Sequence, residues 1–285
     1  MIIKERNPQE HPETDAFSRA GAEAEKQMAH YLRRAFADDP DIAVFNDLRI
    51  VDDAGEVAQF DHLVLHRRGF IVIESKSVTS AVQINEAGEW SREWNKKWQG
   101  MPSPILQAQR QIDLVKKLLS VNREQLRDKL ILGKLQKGFG ATPFEIFIAI
   151  SDKGRIDRDP HTPPEVHKAD AIAPKVREAI GKHRMGFLSP GMDNGLEKFS
   201  DREFAAICNF LGRQHKPQRT SGGSTPTEPS RVPVGAGVSP TTSGREAPAP
   251  HAAHATSAPT AAPRPSAAAA PTLVYCRIIK ATYRV

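Results

Sequence analysis

Eleven of the chain's 22 prolines lie between Arg213 and Pro271, among runs of Ala, Ser, Thr and Gly and without one Phe, Tyr or Trp. Such a segment cannot bury enough apolar surface to offset the entropy of ordering it, so it is expected to be a disordered linker. The foldable part therefore precedes it. Residues 1–17 read as a polar N-terminal extension and residues 18–212 as one domain. Residues 272–285 read as a short strand-like piece around Leu273, Tyr275 and Ile278, too small to fold alone.

The same break locates the charge. Nine of the 40 basic and two of the 34 acidic residues fall from Arg213 onward, leaving 31 against 32 before it. The formal charge of +6 belongs to the tail, and any phosphate-binding surface on the domain must come from local clustering. Two cysteines, Cys208 and Cys276, exclude a disulfide framework and fit a reducing compartment. With no signal-like or membrane-length apolar stretch, a cytoplasmic protein without a membrane partner is expected.

Within 18–212 the elements read helix, strands, helix, strand, then two helices. Met28, Leu32 and Phe36 line one side of a helix over Ser18–Ala37. Ile42–Val51, Phe60–His66, Phe70–Lys76 and Ala81–Asn85 read as strands. Pro104 opens a helix with Ile105, Ile112, Val115 and Leu119 toward the core. Phe144–Ser151 is an apolar run suited to a strand covered on both faces. Val176–His183 and Arg202–Leu211 complete the domain. Strands flanked by helices give an α/β fold. Trp90, Trp94 and Trp98, four apart beside Lys96 and Lys97, suggest one face of an irregular or helical segment, in core or lid packing, with base stacking the sharper alternative.

The chemistry concentrates where an apolar strand ends in charge. In Gly69–Lys76, Glu74 and Lys76 share a face by period-two alternation. A two-residue turn at Arg67-Arg68 pairs His66 with Gly69 and sets Asp61 opposite Glu74, whereas a bulge at Gly69 sets Asp61 opposite Ser75. Two adjacent carboxylates repel, and a hard divalent cation such as Mg²⁺ relieves that by binding both. The ion polarises a phosphodiester and a nearby ammonium steadies developing charge. A cross-strand salt bridge is the plainer reading of Glu-x-Lys alone. Glu25, three and seven residues before Met28 and Leu32, points inward on the first helix, which favours a partner or a metal. His62 points to the face opposite Asp61, in a supporting or packing role. Arg67 and Arg68 are candidate phosphate contacts at a turn.

These residues resemble a known family. Gly21-Ala22-Glu23-Ala24-Glu25 is similar to the opening of the NERD, or nuclease-related, domain. Gln59-Phe60-Asp61-His62-Leu63-Val64 resembles its second motif and Arg68–Lys76 its third, while Trp90 and Ser103-Pro104-Ile105-Leu106-Gln107 resemble its later motifs. The resemblance covers about residues 18–120. It implies a restriction-endonuclease-like core of the PD-(D/E)xK superfamily, a central mixed sheet flanked by helices. It further implies Asp61, Glu74 and the Ser75 backbone carbonyl as ligands of Mg²⁺ or Mn²⁺, with Lys76 catalytic. Glu25 becomes the helix acid of the site and Gln107 a supporting polar residue. The implied activity is hydrolysis of DNA phosphodiester bonds, in processing, repair or defence. Ala24, Ser103 and Phe60 depart from the usual pattern without touching the acids or the lysine. Leu273–Arg277 looks like the start of a zinc ribbon, but Cys276 has no following Cys, so a truncated ribbon is expected. A binding module that keeps the fold without catalysis is the alternative function.

Overall fold

The computed structural model describes residues 1–6, 16–130, 135–185 and 198–217. Its first elements are β1 (Ile2–Lys4), α1 (Ala16–Phe36), β2 (Ile42–Val51), β3 (Val57–His66) and β4 (Gly69–Lys76). The chain continues through β5 (Ala81–Ile84), β6 (Trp90–Trp94), β7 (Lys97–Met101), α2 (Pro104–Val121) and α3 (Arg123–Leu126). Short strands β8 (Lys129–Leu130) and β9 (Leu135–Gln136) lead to β10 (Phe144–Ile150). The last elements are β11 (Arg155–Ile156), β12 (Val166–Lys168), α4 (Ala169–Met185) and α5 (Asp201–Gln214).

The main sheet has six strands in the order β1-β2-β3-β4-β10-β12. β2, β3 and β4 run antiparallel, whereas β1 joins β2, β10 joins β4 and β12 joins β10 in parallel. The apolar runs of β4 and β10 follow from helices on both faces. On one face Met28, Leu32 and Phe36 of α1 and Ile172 and Val176 of α4 pack on Val44, Val64, Ile71 and Ile73. On the other, Ile112, Val115 and Leu119 of α2 and Phe204, Ile207 and Leu211 of α5 pack on Leu63, Leu65, Phe70 and Val72. Each fully buried Leu, Ile or Phe contributes about 1.5–3 kcal/mol. The fold is therefore mixed α/β, as read from the order of elements.

Local signals place the helix that serves the site. The Ser103 hydroxyl caps α2 by accepting from the Leu106 amide at 3.4 Å, and Pro104 fills the first turn where no amide partner is needed. Gly69 starts β4 where a side chain does not fit, since a Cβ there would lie 2.6 Å from the Pro143 carbonyl oxygen. That carbonyl accepts from the Phe70 amide at 3.0 Å and aligns β4 with β10. Among the described residues no helix is long and apolar enough to cross a membrane.

Three local features differ from the sequence reading. Ile2–Lys4, within the expected extension, adds an edge strand to β2. Helix α5 runs past Leu211 to Gln214, and the Lys216 amide then donates to the Arg49 carbonyl at 2.8 Å, so the fold extends beyond residue 212. The tryptophans lie on a β-hairpin rather than on a helical face. Asn95 and Lys96 both take left-handed conformations, φ 49° and 60°, and turn β6 into β7 within two residues. A spacing of four is even, so it suits a strand as well as a helix. The rest of the expected linker and the 272–285 piece, with Cys276, lie outside the described residues. Cys208 is buried and free, its thiol pushed up to about 11 by burial.

Candidate active site

β3 and β4 part where the chemistry begins. His66 pairs with Gly69 and the ladder runs to His62 opposite Ile73, which selects the two-residue turn over the bulge. One step further the register sets Asp61 against Glu74, and there the ladder stops. β4 stays paired to β10 through Glu74, Ser75 and Lys76, while β3 stays paired to β2. The ladder to β2 also skips the Asp47–Asp61 position, where Asp47 holds a left-handed φ of 53°. A non-glycine residue in that region costs on the order of 1–3 kcal/mol and collects at functional sites. Asp61 therefore stands at an interruption on both sides of its strand.

Side chains take over the backbone groups that this fork releases. The Ser75 amide donates to Asp61 Oδ2 at 2.8 Å, and Gln111 Nε2 of α2 donates to the Gln59 carbonyl at 2.6 Å. Because both polar groups of a strand residue face the same neighbour, the Ser75 carbonyl opens on the edge held by Asp61.

Glu74 is enclosed, its side chain 2% exposed, with Oε1 accepting from Lys76 Nζ at 2.6 Å. Glu74 Oε2 is buried without a hydrogen-bond partner. Lys76 Nζ also reaches Gln107 Oε1 at 3.3 Å, so the first two turns of α2 supply its second anchor. Burial pushes the Asp61 carboxyl well above the ordinary range, and the charges of Glu74 and Glu25 push it the same way. Burial also raises Glu74, and Glu25 adds to it, against the pull of Lys76 and of the Gln107 side chain, which also approaches the Glu74 carboxylate. Glu25 on α1 is thus close enough to act on both acids, and its Oε2 pairs with Arg6 Nε at 3.0 Å. Beside that pair, a shallow hollow of about 340 Å³ is lined by Arg6, Lys26, His30 and Arg33 with Glu5.

The other sequence candidates fall elsewhere. His62 is buried on the α1 face of the sheet, its Nδ1 2.8 Å from Asn46 Oδ1. Burial, aided by Arg6, pulls its pKa down to about 3, so it is a neutral packing group. Arg67 and Arg68 sit at the far end of the β3–β4 hairpin from Asp61, where Arg67 pairs with Asp41 at 2.7 Å and Asp201 at 2.8 Å. Sequence reasoning missed Gln111, Arg6 and Asp47. Gln111 had a signal, one helical turn beyond Gln107 on an apolar face, whereas Arg6 and Asp47 reach the site only through the pairing of β1 and β2.

A mixed α/β domain with two carboxylates and a lysine gathered at a fork between adjacent strands is the class these elements define. Residues 20–135 match the family model of NERD, the nuclease-related domain, and that segment holds Glu25, Asp61, Glu74, Lys76 and Gln107. Over that segment the chain is similar to a nuclease-related domain. No curated protein and no solved structure gives a significant match.

Proposed function

We propose that the domain is a metal-dependent nuclease that hydrolyses DNA phosphodiester bonds. The observation that carries this reading is the orphaned Glu74 Oε2, buried beside Asp61 at the fork. A buried carboxylate oxygen without a donor is costly unless protonated or given a cation. Among the described residues no group of three or more His, Cys, Asp or Glu is arranged to hold a metal ion. The donor set that fits is smaller: Asp61, Glu74 and the Ser75 carbonyl, all oxygen, which suits Mg²⁺ or Mn²⁺ with water and phosphate completing the shell. Bound there, the ion supplies Lewis-acid polarisation of the phosphodiester and a more acidic water. Lys76, steadied by Glu74 and Gln107, places an ammonium beside the reacting phosphate, and Glu25 adds negative charge that favours the cation. The basic hollow along α1 offers a path for the phosphate backbone.

The test is incubation of the full chain with plasmid, linear and single-stranded DNA in Mg²⁺, Mn²⁺ or chelator. The wild type should cut only with metal. Asp61→Asn should weaken Mn²⁺ binding, whereas Lys76→Ala should bind Mn²⁺ at least as well and cut nothing. Wild-type cleavage by Lys76→Ala, or cleavage in chelator, would remove this assignment. Nucleic-acid binding without cleavage under every condition would leave a non-catalytic binding module.

A further inference from the structure

The chain between the two anchors of the site forms three strands of a small four-stranded sheet, which β11 completes beside β5. From Lys76 at the end of β4 it makes β5, β6 and β7 and then returns as α2, whose Gln107 lies 3.3 Å from Lys76 Nζ. The β6–β7 hairpin is thus tethered at both ends to residues of the fork. Its base is packed, with Trp90 buried against Val82, Ile84 and Ile105. Its tip is not, since Trp94 and Trp98 are 42% and 44% exposed. The left-handed pair Asn95-Lys96 closes the tip in a tight turn that matches strand twist, so the indoles are held rather than carried on a loose loop.

Cross-strand pairing sets the two indoles on opposite faces. Lys97 pairs with Trp94, whereas Trp98 pairs with Glu93. The Arg92 guanidinium lies 5.9 Å from the Trp94 ring. Arg92, Lys96 and Lys97 against Glu93 leave the tip net basic. An open hollow of about 600 Å³ at the base of the hairpin is lined by Glu89, Trp90, Ser91, Gly100, Met101 and the α2 cap Ser103, and neither exposed indole lines it. One indole per face gives no contiguous apolar patch, so the hairpin does not suit a flat protein partner or a lipid surface. Trp94, with Arg92 and Lys97 on its own face, suits an unpaired base, which stacks whatever its identity while the cations follow the phosphates, and Trp98 offers a second indole on the other face beside Glu93.

We propose that the β6–β7 hairpin binds unpaired bases of a DNA strand, stacking them on Trp94 and Trp98 with Arg92, Lys96 and Lys97 on the phosphates. The role given to the fork rests on the nuclease reading and makes its substrate a single-stranded or frayed end. The binding itself does not depend on cleavage.

The experiment measures binding of the full chain in chelator to a labelled oligothymidylate, an abasic strand with as many phosphates, and a blunt duplex. Oligothymidylate should bind about tenfold or more tighter than the abasic strand, the contribution of a stacked base. It should also quench wild-type tryptophan emission. In Trp94→Phe/Trp98→Phe the affinity should be largely kept, while the remaining emission, from buried Trp90, should not be quenched. In Trp94→Ala/Trp98→Ala the oligothymidylate should fall to the level of the abasic strand. Equal wild-type affinity for the two strands, tightest binding to the duplex, or an unquenched wild type would overturn the proposal. The last observation and the Phe variant decide the matter even if the Ala variant unfolds. A protein that binds and quenches but never cuts retires the nuclease reading alone, whereas one that cuts duplex without binding oligothymidylate retires this inference alone.

Discussion

The Ser75 amide and the Asp61 carboxylate are joined by a 2.8 Å hydrogen bond across the point where β3 and β4 stop pairing. A donor that a regular ladder would give to a carbonyl holds an acid instead. It keeps that acid facing Glu74 although burial and the like charges of Glu74 and Glu25 all oppose its ionisation. The two acids thus oppose each other's ionisation, an effect that is measurable without any nuclease assay.

Both Asp61 and Glu74 have folded-state pKa values raised above the unfolded ones. Their contribution is fully present below the unfolded carboxylate range and is lost as pH rises through the folded values, where the native state must release protons it holds more tightly. Metal-free protein should thus lose stability toward alkaline pH. Asp61→Asn keeps an oxygen for the Ser75 amide and removes one charge. Its melting temperature in chelator at pH about 8 should exceed the wild type's by a few degrees, the response to about 1 kcal/mol in a domain of this size. With Mn²⁺ added, the order should reverse. A lower melting temperature for Asp61→Asn in chelator would show that the acids are not crowded.

The acid limb has a different cause. His62 and His66 are buried and held neutral, with pKa values down to about 3. Between about 6.5 and 3 the unfolded chain binds protons that the native state refuses, so stability should fall as pH drops through that window. Replacing His62 removes one such proton. In His62→Gln, whose amide can still donate to Asn46, the slope of urea-derived stability near pH 5 should shrink by up to about 1.4 kcal/mol per pH unit. An unchanged slope would mean that His62 already titrates freely in the folded protein.

Most of the scaffold was legible because local rules governed it. Period-two alternation gave Glu74 and Lys76 a common face, the Arg67-Arg68 turn limited the register to two choices, and Ser103-Pro104 marked the start of α2. What escaped reading depends on contacts far apart in sequence. Nothing in Ile2–Lys4 announces that it will pair with β2 and bring Arg6 to Glu25. Asp47 carries no hint of its left-handed backbone. The tryptophan hairpin was missed because Asn95-Lys96 lacks the glycine that usually signals such a turn. Residue types thus pointed to the chemistry, while the fork that gathers them is a property of the whole sheet.

One buried ion pair anchors the start of α5, beside Arg67 at the end of the β3–β4 hairpin remote from Asp61. Glu203 is fully buried, accepts from Arg127 Nε at 3.0 Å and the Asp128 amide at 2.7 Å, and closes the capping box of α5 with Ser200. Glu203→Ala leaves the Arg127 guanidinium buried between Phe139 and Phe199 without its carboxylate. Breaking such a pair from one side costs about 3–5 kcal/mol, so the melting temperature should fall by roughly 10 °C. A drop of only a degree or two would show that other groups or water satisfy Arg127 as well as Glu203 does.

Gln107 tests how far the positioning of Lys76 matters apart from metal binding. Its Oε1 accepts from Lys76 Nζ at 3.3 Å, while Glu74 takes the same ammonium at 2.6 Å. Removing the amide leaves the lysine on the carboxylate that is also the proposed metal ligand, where it competes with the cation instead of facing the phosphate. Gln107→Ala should therefore slow cleavage about tenfold, the equivalent of one hydrogen bond to a charged group at about 1.5 kcal/mol. Its Mn²⁺ affinity should stay within about twofold of the wild type's. Gln107→Glu, which restores an acceptor oxygen, should recover part of the rate, as a purely packing role for this position would not allow. Loss of Mn²⁺ affinity in step with rate across the Ala and Glu variants would instead place Gln107 in the metal shell, and an unchanged rate in Gln107→Ala would release Lys76 from any need of a second anchor.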